Sequence, residues 1–332
     1  MKKYSYLISI LILIIFYYII KTSTSIGCRD CNPVIIIPEG SSASSVADLL
    51  YNEKYFSSND VTLFKIIMKL TFKEDDIYAG RYDLSAVSEM GDLISIITST
   101  SGSKVKLTFI EGWGVEKYAS KLQNTIGIDS SKFVDRCKSN YIKKFGIDSP
   151  SCEGFLYPDT YIFLTSYTEK QIMDKMINQF LYVYENFIEN KANKMDMSIN
   201  EVVALASIIQ GEAAKRSEMN MISSVYHNRL NKNMLLQADP TIQYIVPGKN
   251  RRLWNKDLKI KSPYNTYLHK GLPPGPISNP GLSALVASVN PEKSDYFYFV
   301  SDAEGGHMFS RNVREHKEAV KIFKRKRKLQ KK

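Results

Sequence analysis

Residue types that build metal sites and disulfide frameworks are scarce in this chain of 332 residues. Its four cysteines are too few for a disulfide scaffold, and its four histidines never fall in a zinc spacing such as H-x-x-x-H. With 44% apolar and 24% charged residues, the composition excludes a disordered chain, a collagen-like chain and a multi-span membrane protein. The length predicts two folded units, since one domain usually takes roughly 100–200 residues.

The one long apolar run lies near the N-terminus. Lys2 and Lys3 precede seventeen uncharged, mostly apolar residues, 4–20. This length is at the short end of what a bilayer needs, and the two lysines orient the N-terminus toward the cytoplasm. We therefore expect an uncleaved single-pass anchor, with the chain after residue 22 outside the membrane. Cleavage as a signal peptide, or lipidation at Cys28, is the alternative.

The positive charge is concentrated at the other end of the chain. The net charge is +11, but residues 321–332 hold eight Lys and Arg and no acid, which leaves +3 for the other 320 residues. This basic tail is interpreted as a solvated charge run, with attraction to anionic lipid or wall polymer as the alternative. Because the body is expected outside the cytoplasm, nucleic acid is not expected as a partner.

An extracytoplasmic location permits disulfides. Cys137 and Cys152 could pair across fourteen intervening residues, and Cys28 could pair with Cys31. Free thiols are the alternative for both pairs, and the spacing does not decide between them.

The pattern along the chain predicts an α+β fold. Residues 33–85 have a strand–helix–helix–strand pattern, and residues 104–122 repeat a strand–turn–helix. A Ser- and Thr-rich linker at residues 99–103 places the domain boundary there. In the later half, helices at about 168–188, 198–214, 217–231 and 281–288 accompany a hairpin that turns at 304–306. Helices and strands do not alternate regularly, so a parallel sheet is not expected.

The helix at 198–214 carries the first catalytic candidate. Ser198 and Glu201 have the spacing of a capping box, and the helix is apolar almost all round, which predicts a buried element. Glu212 falls on its apolar stripe, where burial would raise the pKa of the carboxyl toward the range of a general acid. The alternative is a solvated Glu212 that pairs with Lys215 or Arg216.

Two later segments predict a ligand groove or, alternatively, structural turns. Gln237 and Asp239 lie in a polar turn before Pro240, where Asp239 could simply cap a helix. Residues 262–281, SPYNTYLHKGLPPGPISNPG, combine Pro, Gly and Tyr in a segment typical of a rigid loop that displays polar groups. Ser217 is expected to cap the helix that follows Glu212.

The sequence resembles the membrane-anchored endolytic murein transglycosylases, the MltG or YceG-like family. The matching segments run in family order from Val34 to His316. They read IPEGSSASSVADLL, AGRYDLS, EGFLYPDTYIF, ALASIIQGEAA, YHNRLNKNMLLQADPTIQY, SPYNTYLHKGLPPGPISNPG and GGHMFS followed by EH.

The resemblance implies a domain organisation and a reaction. Residues 1–32 would be a cytoplasmic stub, an anchor and a tether, 33–102 a LysM-like domain, 103–320 the catalytic domain and 321–332 a basic tail. The protein would lie in the bacterial plasma membrane and act on peptidoglycan, and the resemblance suggests work beside wall-synthesis complexes. The reaction implied is that of a lyase that cuts the MurNAc–GlcNAc β-1,4 bond within glycan strands and leaves 1,6-anhydroMurNAc ends, which would limit strand length. It needs no metal and no cofactor.

The resemblance also assigns site residues. Glu212 occupies the catalytic position, and Gln210 stands where many members carry Glu. Candidates for glycan binding are Gln237, Asp239, Tyr264, Asn265, Thr266 and Glu153, although holding a loop is the preferred interpretation of Glu153. His307 and His316 are expected to stabilise the C-terminal hairpin and helix.

Two other functions stay open at this point. One is a non-catalytic glycan-binding scaffold in which Glu212 is structural. The other is a muramidase-type hydrolase, which would need a second carboxylate for water, with Glu153 or Asp239 as candidates.

Overall fold

The computed structural model describes residues 26, 33–85, 87–99, 104–246 and 251–330. The predicted anchor at 4–20, Cys28, Cys31 and most of the predicted linker lie outside the described residues. None of the helices within these ranges has the length and apolar character needed to cross a bilayer. The chain divides into two compact units. The first extends to Leu107 and includes Tyr161–Thr168, and the second comprises Thr108–Thr160 and the chain from Glu169 onward.

The first unit contains the predicted strand–helix–helix–strand order, which is confirmed. Its elements are β1 (Val34–Ile37), α1 (Ala43–Asn52), α2 (Ser58–Leu70), β2 (Gly80–Asp83) and α3 (Met90–Ile97). β1 and β2 pair antiparallel, with Val34 opposite Asp83. The side-chain oxygen of Ser42 caps α1, and Ser57 with Asp60 forms a capping box on α2. Ile37, Leu50 and Phe64 are fully buried in the core between these elements.

A second strand pair, β3 (Lys104–Thr108) and β4 (Thr160–Leu164), has most of its residues in the first unit. With β1–β2 and a third strand pair near the C-terminus, the described sheets are all two-stranded. Small sheets among many helices agree with the predicted α+β class.

The second unit is mainly helical. It contains α4 (Val115–Ile126), α5 (Ser130–Lys138), α6 (Glu169–Phe187), α7 (Glu189–Lys194), α8 (Ile199–Glu212), α9 (Met219–Asn231), α10 (Asp239–Ile245), α11 (Leu282–Ser288), β5 (Tyr298–Ser301), β6 (His307–Ser310) and α12 (Val313–Leu329). β5 and β6 form the predicted hairpin, with Ser301 opposite His307.

The helix α8 lies at the centre of the hydrophobic core of this unit. The capping box of Ser198 and Glu201 is present, and the predicted burial is confirmed because every residue from Val202 to Ile209 is buried. α7, α9, α10 and α11 all pack against α8. Such a helix, enclosed on several sides, gives a rigid support to the residue at its end.

The loop around Asn279 ties distant segments to this core. Asn279 is fully buried, its amide oxygen accepts the N–H groups of Gly154 and Leu156, and its amide nitrogen donates to the carbonyl of Trp113. The N–H of Ile277 donates to the Ser207 hydroxyl on α8 at 3.1 Å. The rigid loop predicted from the Pro and Gly content is thus bound to α8 by specific hydrogen bonds.

The predicted capping role of Ser217 is wrong. A single 3₁₀ turn, Arg216–Glu218, comes before α9, and the helix begins only at Met219 without a side-chain cap. The Glu218 side chain, which stands next to the helix start, instead accepts hydrogen bonds from the backbone N–H and Nδ1 of His307. Cys137 and Cys152 are both free and buried.

Candidate active site

Glu212 is the last residue of α8 and the meeting point of two cavities. One cavity, of about 600 Å³, is also lined by Gly114, Lys117 and Arg252. The other, of about 460 Å³, is lined by residues of α9 and the β5–β6 hairpin. Glu212 and Asp239 line both cavities. The Glu212 carboxyl is therefore accessible to a ligand from two sides, although the helix that carries it is buried.

A tyrosine orients the Glu212 carboxyl. The hydroxyl of Tyr226, on α9, donates a hydrogen bond to Oε1 of Glu212 at 3.1 Å. Tyr226 is almost completely buried, and its ring packs edge-on against Phe299 of β5. Because the phenol ring is held by this packing, the hydrogen bond fixes the position of Oε1.

A second carboxylate lies beside Glu212. Asp239 is the first residue of α10, and its Oδ1 accepts a hydrogen bond from the Tyr267 hydroxyl at 2.6 Å. Gly211 and Pro240 bring the two helices close, since a Cβ on Gly211 would lie 2.8 Å from Pro240 Cβ. The contact between α8 and α10 thus places the two acidic residues at the same site.

These surroundings raise the pKa of Glu212 from its usual 4.5 to about 7. Removal of the carboxyl from water is the largest cause, and the negative charge of Asp239 is the next. Hydrogen bonds from Tyr226 and from the backbone of Asp239, and the positive charge of Arg229, oppose the rise. A carboxyl with this pKa can hold a proton near neutral pH and also release it.

Three of the predicted glycan-binding residues belong either to the segment that precedes Asp239 or to the loop around residues 265–266. Gln237 is exposed, lines the 460 Å³ cavity and has a positive φ of 47°. Thr266 is buried, and its hydroxyl accepts the N–H of Ala238 at 3.0 Å. Asn265 is also buried, and its amide donates to the carbonyls of Leu258 and Ile260. Gln237 and Asp239 therefore face the cavities, whereas Thr266 and Asn265 support the loops behind them.

Glu153 and Tyr264 are not among the residues that line the two cavities. Glu153 is buried, accepts the N–H of Val115 at the start of α4 and receives a hydrogen bond from Asn279. Its contacts are those of a residue that holds a loop and a helix start. Tyr264 is half-buried, and its ring centroid lies 5.0 Å from that of Tyr244, which does line the 600 Å³ cavity.

Gln210 also has a structural contact. Its side-chain oxygen accepts the N–H of Gly281 at 3.1 Å, just before α11. Glutamine and glutamate both have a side-chain oxygen that can accept this hydrogen bond. A glutamine in place of a glutamate at position 210 therefore keeps the contact with Gly281.

Sequence reasoning missed three residues around the carboxyl: Tyr226, Arg229 and Tyr267. Tyr226 fits the apolar spacing of α9, and nothing local distinguishes it from a core residue. Arg229 is buried and donates to the carbonyls of Phe297 and Leu236, and Arg229 and Leu236 both line the 460 Å³ cavity. A buried arginine within a helix that otherwise buries apolar residues was the available signal, since such residues need partners.

The two C-terminal histidines both line the 460 Å³ cavity. His307 is held by Glu218, with Nδ1 at 2.9 Å from Oε2. His316 stacks on the ring of Tyr298, and burial lowers its pKa. Within the part of the chain that the structure describes, no cluster of three or more His, Cys, Asp or Glu is arranged to hold a metal ion.

The comparison with protein families decides the assignment. A model described as the YceG-like family matches residues 35–322. The chain belongs to the YceG-like family.

Similar proteins come from several bacteria. An endolytic murein transglycosylase of Bacillus subtilis (strain 168) is 33% identical over 310 residues, which cover 87% of this chain and 84% of that protein. A protein with the same description from Streptococcus pneumoniae (strain ATCC BAA-255 / R6) is 28% identical, and the match covers 84% of this chain but 57% of the longer relative. The crystal structure of a yceG-like protein from Listeria monocytogenes is 31% identical, with a TM-score of 0.61 over 86% of this chain and 97% of that one.

Proposed function

We propose that this protein is an endolytic murein transglycosylase, a lyase that cuts peptidoglycan glycan strands internally. One observation carries the proposal: in a YceG-like chain, a carboxyl with a pKa of about 7 lies where two cavities meet. A strand that occupies both cavities would have its scissile bond at Glu212. The names of the relatives from Bacillus subtilis and Streptococcus pneumoniae support the same activity.

The first step is protonation of the leaving oxygen. Glu212 enters the reaction protonated, and because Tyr226 donates to Oε1, the proton is carried by the other oxygen. This proton passes to the glycosidic oxygen between MurNAc and GlcNAc as the bond to MurNAc C1 breaks. The 2-acetamido group of MurNAc stabilises the positive charge at C1, and the negative charge of Asp239 beside Glu212 favours it further.

The second step closes the anhydro ring. The Glu212 carboxylate removes the proton of the MurNAc 6-hydroxyl, whose oxygen then bonds to C1. The carboxyl is protonated again, and the product carries a 1,6-anhydro end. One carboxyl serves as both acid and base, which is what a pKa near 7 allows.

Substitution of the catalytic carboxyl tests the assignment. Glu212→Gln keeps the shape of the side chain and the acceptor for Tyr226, but it has no acidic proton. We expect cleavage of intact glycan to fall by at least about 10²-fold, since general acid–base groups contribute roughly 10²–10⁴-fold. Glu185→Gln, on an exposed face of α6, is the matched control and should keep wild-type activity. A Glu212→Gln enzyme that retains more than roughly a tenth of the wild-type rate would refute the assignment.

The proximity of Asp239 favours one competing function, a muramidase-type hydrolase. Two carboxylates at one site are what such an enzyme uses, the second one to activate water or to attack the sugar. Reaction in ¹⁸O-labelled water separates the two chemistries by mass spectrometry of the products. A lyase gives unlabelled 1,6-anhydro ends, whereas predominantly labelled reducing ends would establish the hydrolase instead.

We further propose that residues 4–20 anchor the protein in the plasma membrane, with a LysM-like first unit and the catalytic unit outside. The two lysines before the apolar run and the βααβ order of the first unit support this arrangement. Protease added to the outer face of intact spheroplasts should degrade the body and spare an N-terminal tag. A protected body, or a mature N-terminus at Cys28, would be incompatible with it.

A further inference from the structure

A third cavity lies next to the 600 Å³ cavity of Glu212. It has a volume of about 330 Å³ and is lined by Trp113, Lys117, Ser120, Lys121, Asn124 and Thr125. Lys117 lines both cavities, and the glycines on either side of Trp113, Gly112 and Gly114, line the cavity of Glu212. The two cavities are therefore neighbours along one surface, with Trp113 at their junction.

The tryptophan is held rigidly in this position. The carbonyl of Trp113 accepts hydrogen bonds from both the backbone N–H and the side-chain amide of Asn279, at 3.0 and 2.9 Å. The N–H of Gly112 donates to the Asn279 carbonyl at 2.7 Å. The indole ring lies against Tyr118, with the ring centroids 6.3 Å apart, and remains half-exposed. A rigid, partly exposed aromatic ring loses little conformational entropy when a ligand packs on it.

Two cations stand beside the indole. The ammonium groups of Lys117 and Lys121 lie 5.6 and 5.7 Å from the centre of the ring. Neither forms an ion pair with a carboxylate in the described part of the chain. Their charges are thus available to an anionic ligand.

Polar side chains continue the surface along α4. Lys117, Ser120, Lys121 and Asn124 follow the i, i+3, i+4, i+7 spacing, so they form one stripe on the helix. Hydroxyl, amide and ammonium groups in such a row are donors and acceptors that match the hydroxyl and amide groups of sugars. Of these four residues, only Lys117 also lines the cavity of Glu212, so the stripe extends from that cavity into the neighbouring one.

We infer that Trp113, Lys117 and Lys121 form an additional subsite for a peptide-bearing sugar of the glycan strand. The apolar face of a pyranose ring packs on the indole, and the two ammonium groups bind a carboxylate of the stem peptide attached to that sugar. The inference rests on the proposed function, since it assumes a peptidoglycan strand in the cavity of Glu212. It assigns the strand a direction, from Glu212 past Gly114 and along α4.

The two tryptophans of the chain allow a binding test that does not depend on turnover. Trp254 is 63% exposed and lines none of the three cavities. In the full chain with Glu212→Gln and Trp254→Phe, Trp113 is the only tryptophan. Titration with peptide-bearing glycan oligosaccharides of increasing length should give a saturable change in its fluorescence, and only with oligosaccharides long enough to extend beyond the Glu212 cavity.

Lys121 gives the matched variant, because it lines the Trp113 cavity and not the cavity of Glu212. Lys121→Ala should weaken binding of long peptide-bearing strands by about tenfold, as truncation of a contact residue in a binding site commonly does. The same substitution should have little effect on the affinity for strands from which an amidase has removed the peptides. Lys138→Ala, at the exposed end of α5, is the control and should not change either affinity.

The results separate this inference from the proposed function. If calorimetry detects strand binding, but the Trp113 signal is flat and Lys121→Ala keeps wild-type affinity, the subsite is refuted and the enzyme assignment stands. An equal loss for strands with and without peptides would refute the carboxylate contact. If wild-type protein neither binds nor cuts the strands, both proposals fail together.

Discussion

Burial raises the pKa of Glu212 most, and two neighbours then change it in opposite directions. Asp239 contributes negative charge that disfavours the carboxylate, whereas the Tyr226 hydroxyl donates a hydrogen bond that favours it. Tyr267 holds Asp239 by a hydrogen bond of 2.6 Å, so this charge has a fixed position. The proton affinity of the catalytic group is therefore adjusted by residues that do not themselves transfer a proton to the substrate.

We expect opposite shifts in the pH profile when these two neighbours are changed. Cleavage that requires protonated Glu212 declines as the pH rises through the pKa of about 7. Tyr226→Phe removes the hydrogen bond to the carboxylate, so the pKa rises and the alkaline limb of kcat/KM moves to higher pH. Asp239→Asn removes a negative charge, so the pKa falls and the limb moves to lower pH.

Tyr182→Phe on an exposed position of α6 provides the control and should leave the profile unchanged. The pH dependence of kcat/KM for a soluble glycan substrate measures all three variants. A shift in the same direction for Tyr226→Phe and Asp239→Asn would contradict the electrostatic account.

At the scale of elements, the junction between α8 and α10 sets the geometry of the site. Gly211 leaves room for Pro240, and a Cβ at position 211 would lie 2.8 and 2.9 Å from two Pro240 side-chain carbons. These are shorter than ordinary contacts, and the proline ring cannot rotate away. The absence of a side chain at position 211 is thus what permits Glu212 and Asp239 to lie at one site.

Gly211→Ala is expected to push α10 away from α8. The crowding should cost about 1–3 kcal/mol of unfolding free energy, as overpacking does. It should also lower kcat by about tenfold or more, because small displacements of catalytic groups have large effects on rate. Gly91→Ala, on α3 with open space around the position, is the control and should be neutral or slightly stabilising. Unfolding curves and steady-state rates that match the wild type for Gly211→Ala would show that this contact does not set the site.

The same junction shows what the sequence could predict. The capping box of Ser198 and the apolar faces of α8 are local, so the helix and its burial could be read from the pattern. The pattern also placed Glu212 on the buried side. It could not show that Tyr226 reaches Glu212 or that Tyr267 reaches Asp239, because these contacts depend on packing between helices and loops. The error at Ser217 has a similar origin, since Glu218 binds His307, 89 residues away.

At the scale of the molecule, one buried amide connects segments that are far apart in the sequence. Asn279 bonds to Trp113, to the backbone at Gly154 and to Glu153, which in turn caps the start of α4. Glu153, Gly154 and Asn279 lie in family segments, but their roles could not be read there, because a motif does not show which of its members face a cavity. Glu153 is an example: it belongs to such a segment, yet its carboxyl is directed at a helix start.

The protonation of Glu212 also affects the stability of the whole second unit. Its pKa is raised from 4.5 to about 7 in the folded state, so between these pH values the folded protein holds a proton that the unfolded chain has released. The folded state then binds more protons than the unfolded state, and the free energy of unfolding declines as the pH rises from about 4.5 to about 7. Below about pH 4.5 Glu212 is protonated in both states, and its contribution to stability is fully present. Above about pH 7 Glu212 is ionised in both states, and this contribution is lost.

Glu212→Gln should therefore stabilise the protein at high pH while it abolishes cleavage. The amide stays neutral at every pH, so the variant is not destabilised by an ionised carboxyl in this site. Relative to wild type, we expect a gain of up to about 3 kcal/mol in unfolding free energy at pH 8, which shrinks toward zero near pH 4.5. Denaturant unfolding at several pH values measures the difference, with Glu185→Gln as the control that should show none. A Glu212→Gln protein whose stability relative to wild type does not change with pH would mean that the carboxyl is solvated and its pKa ordinary, which would remove the physical basis for a single residue acting as both acid and base.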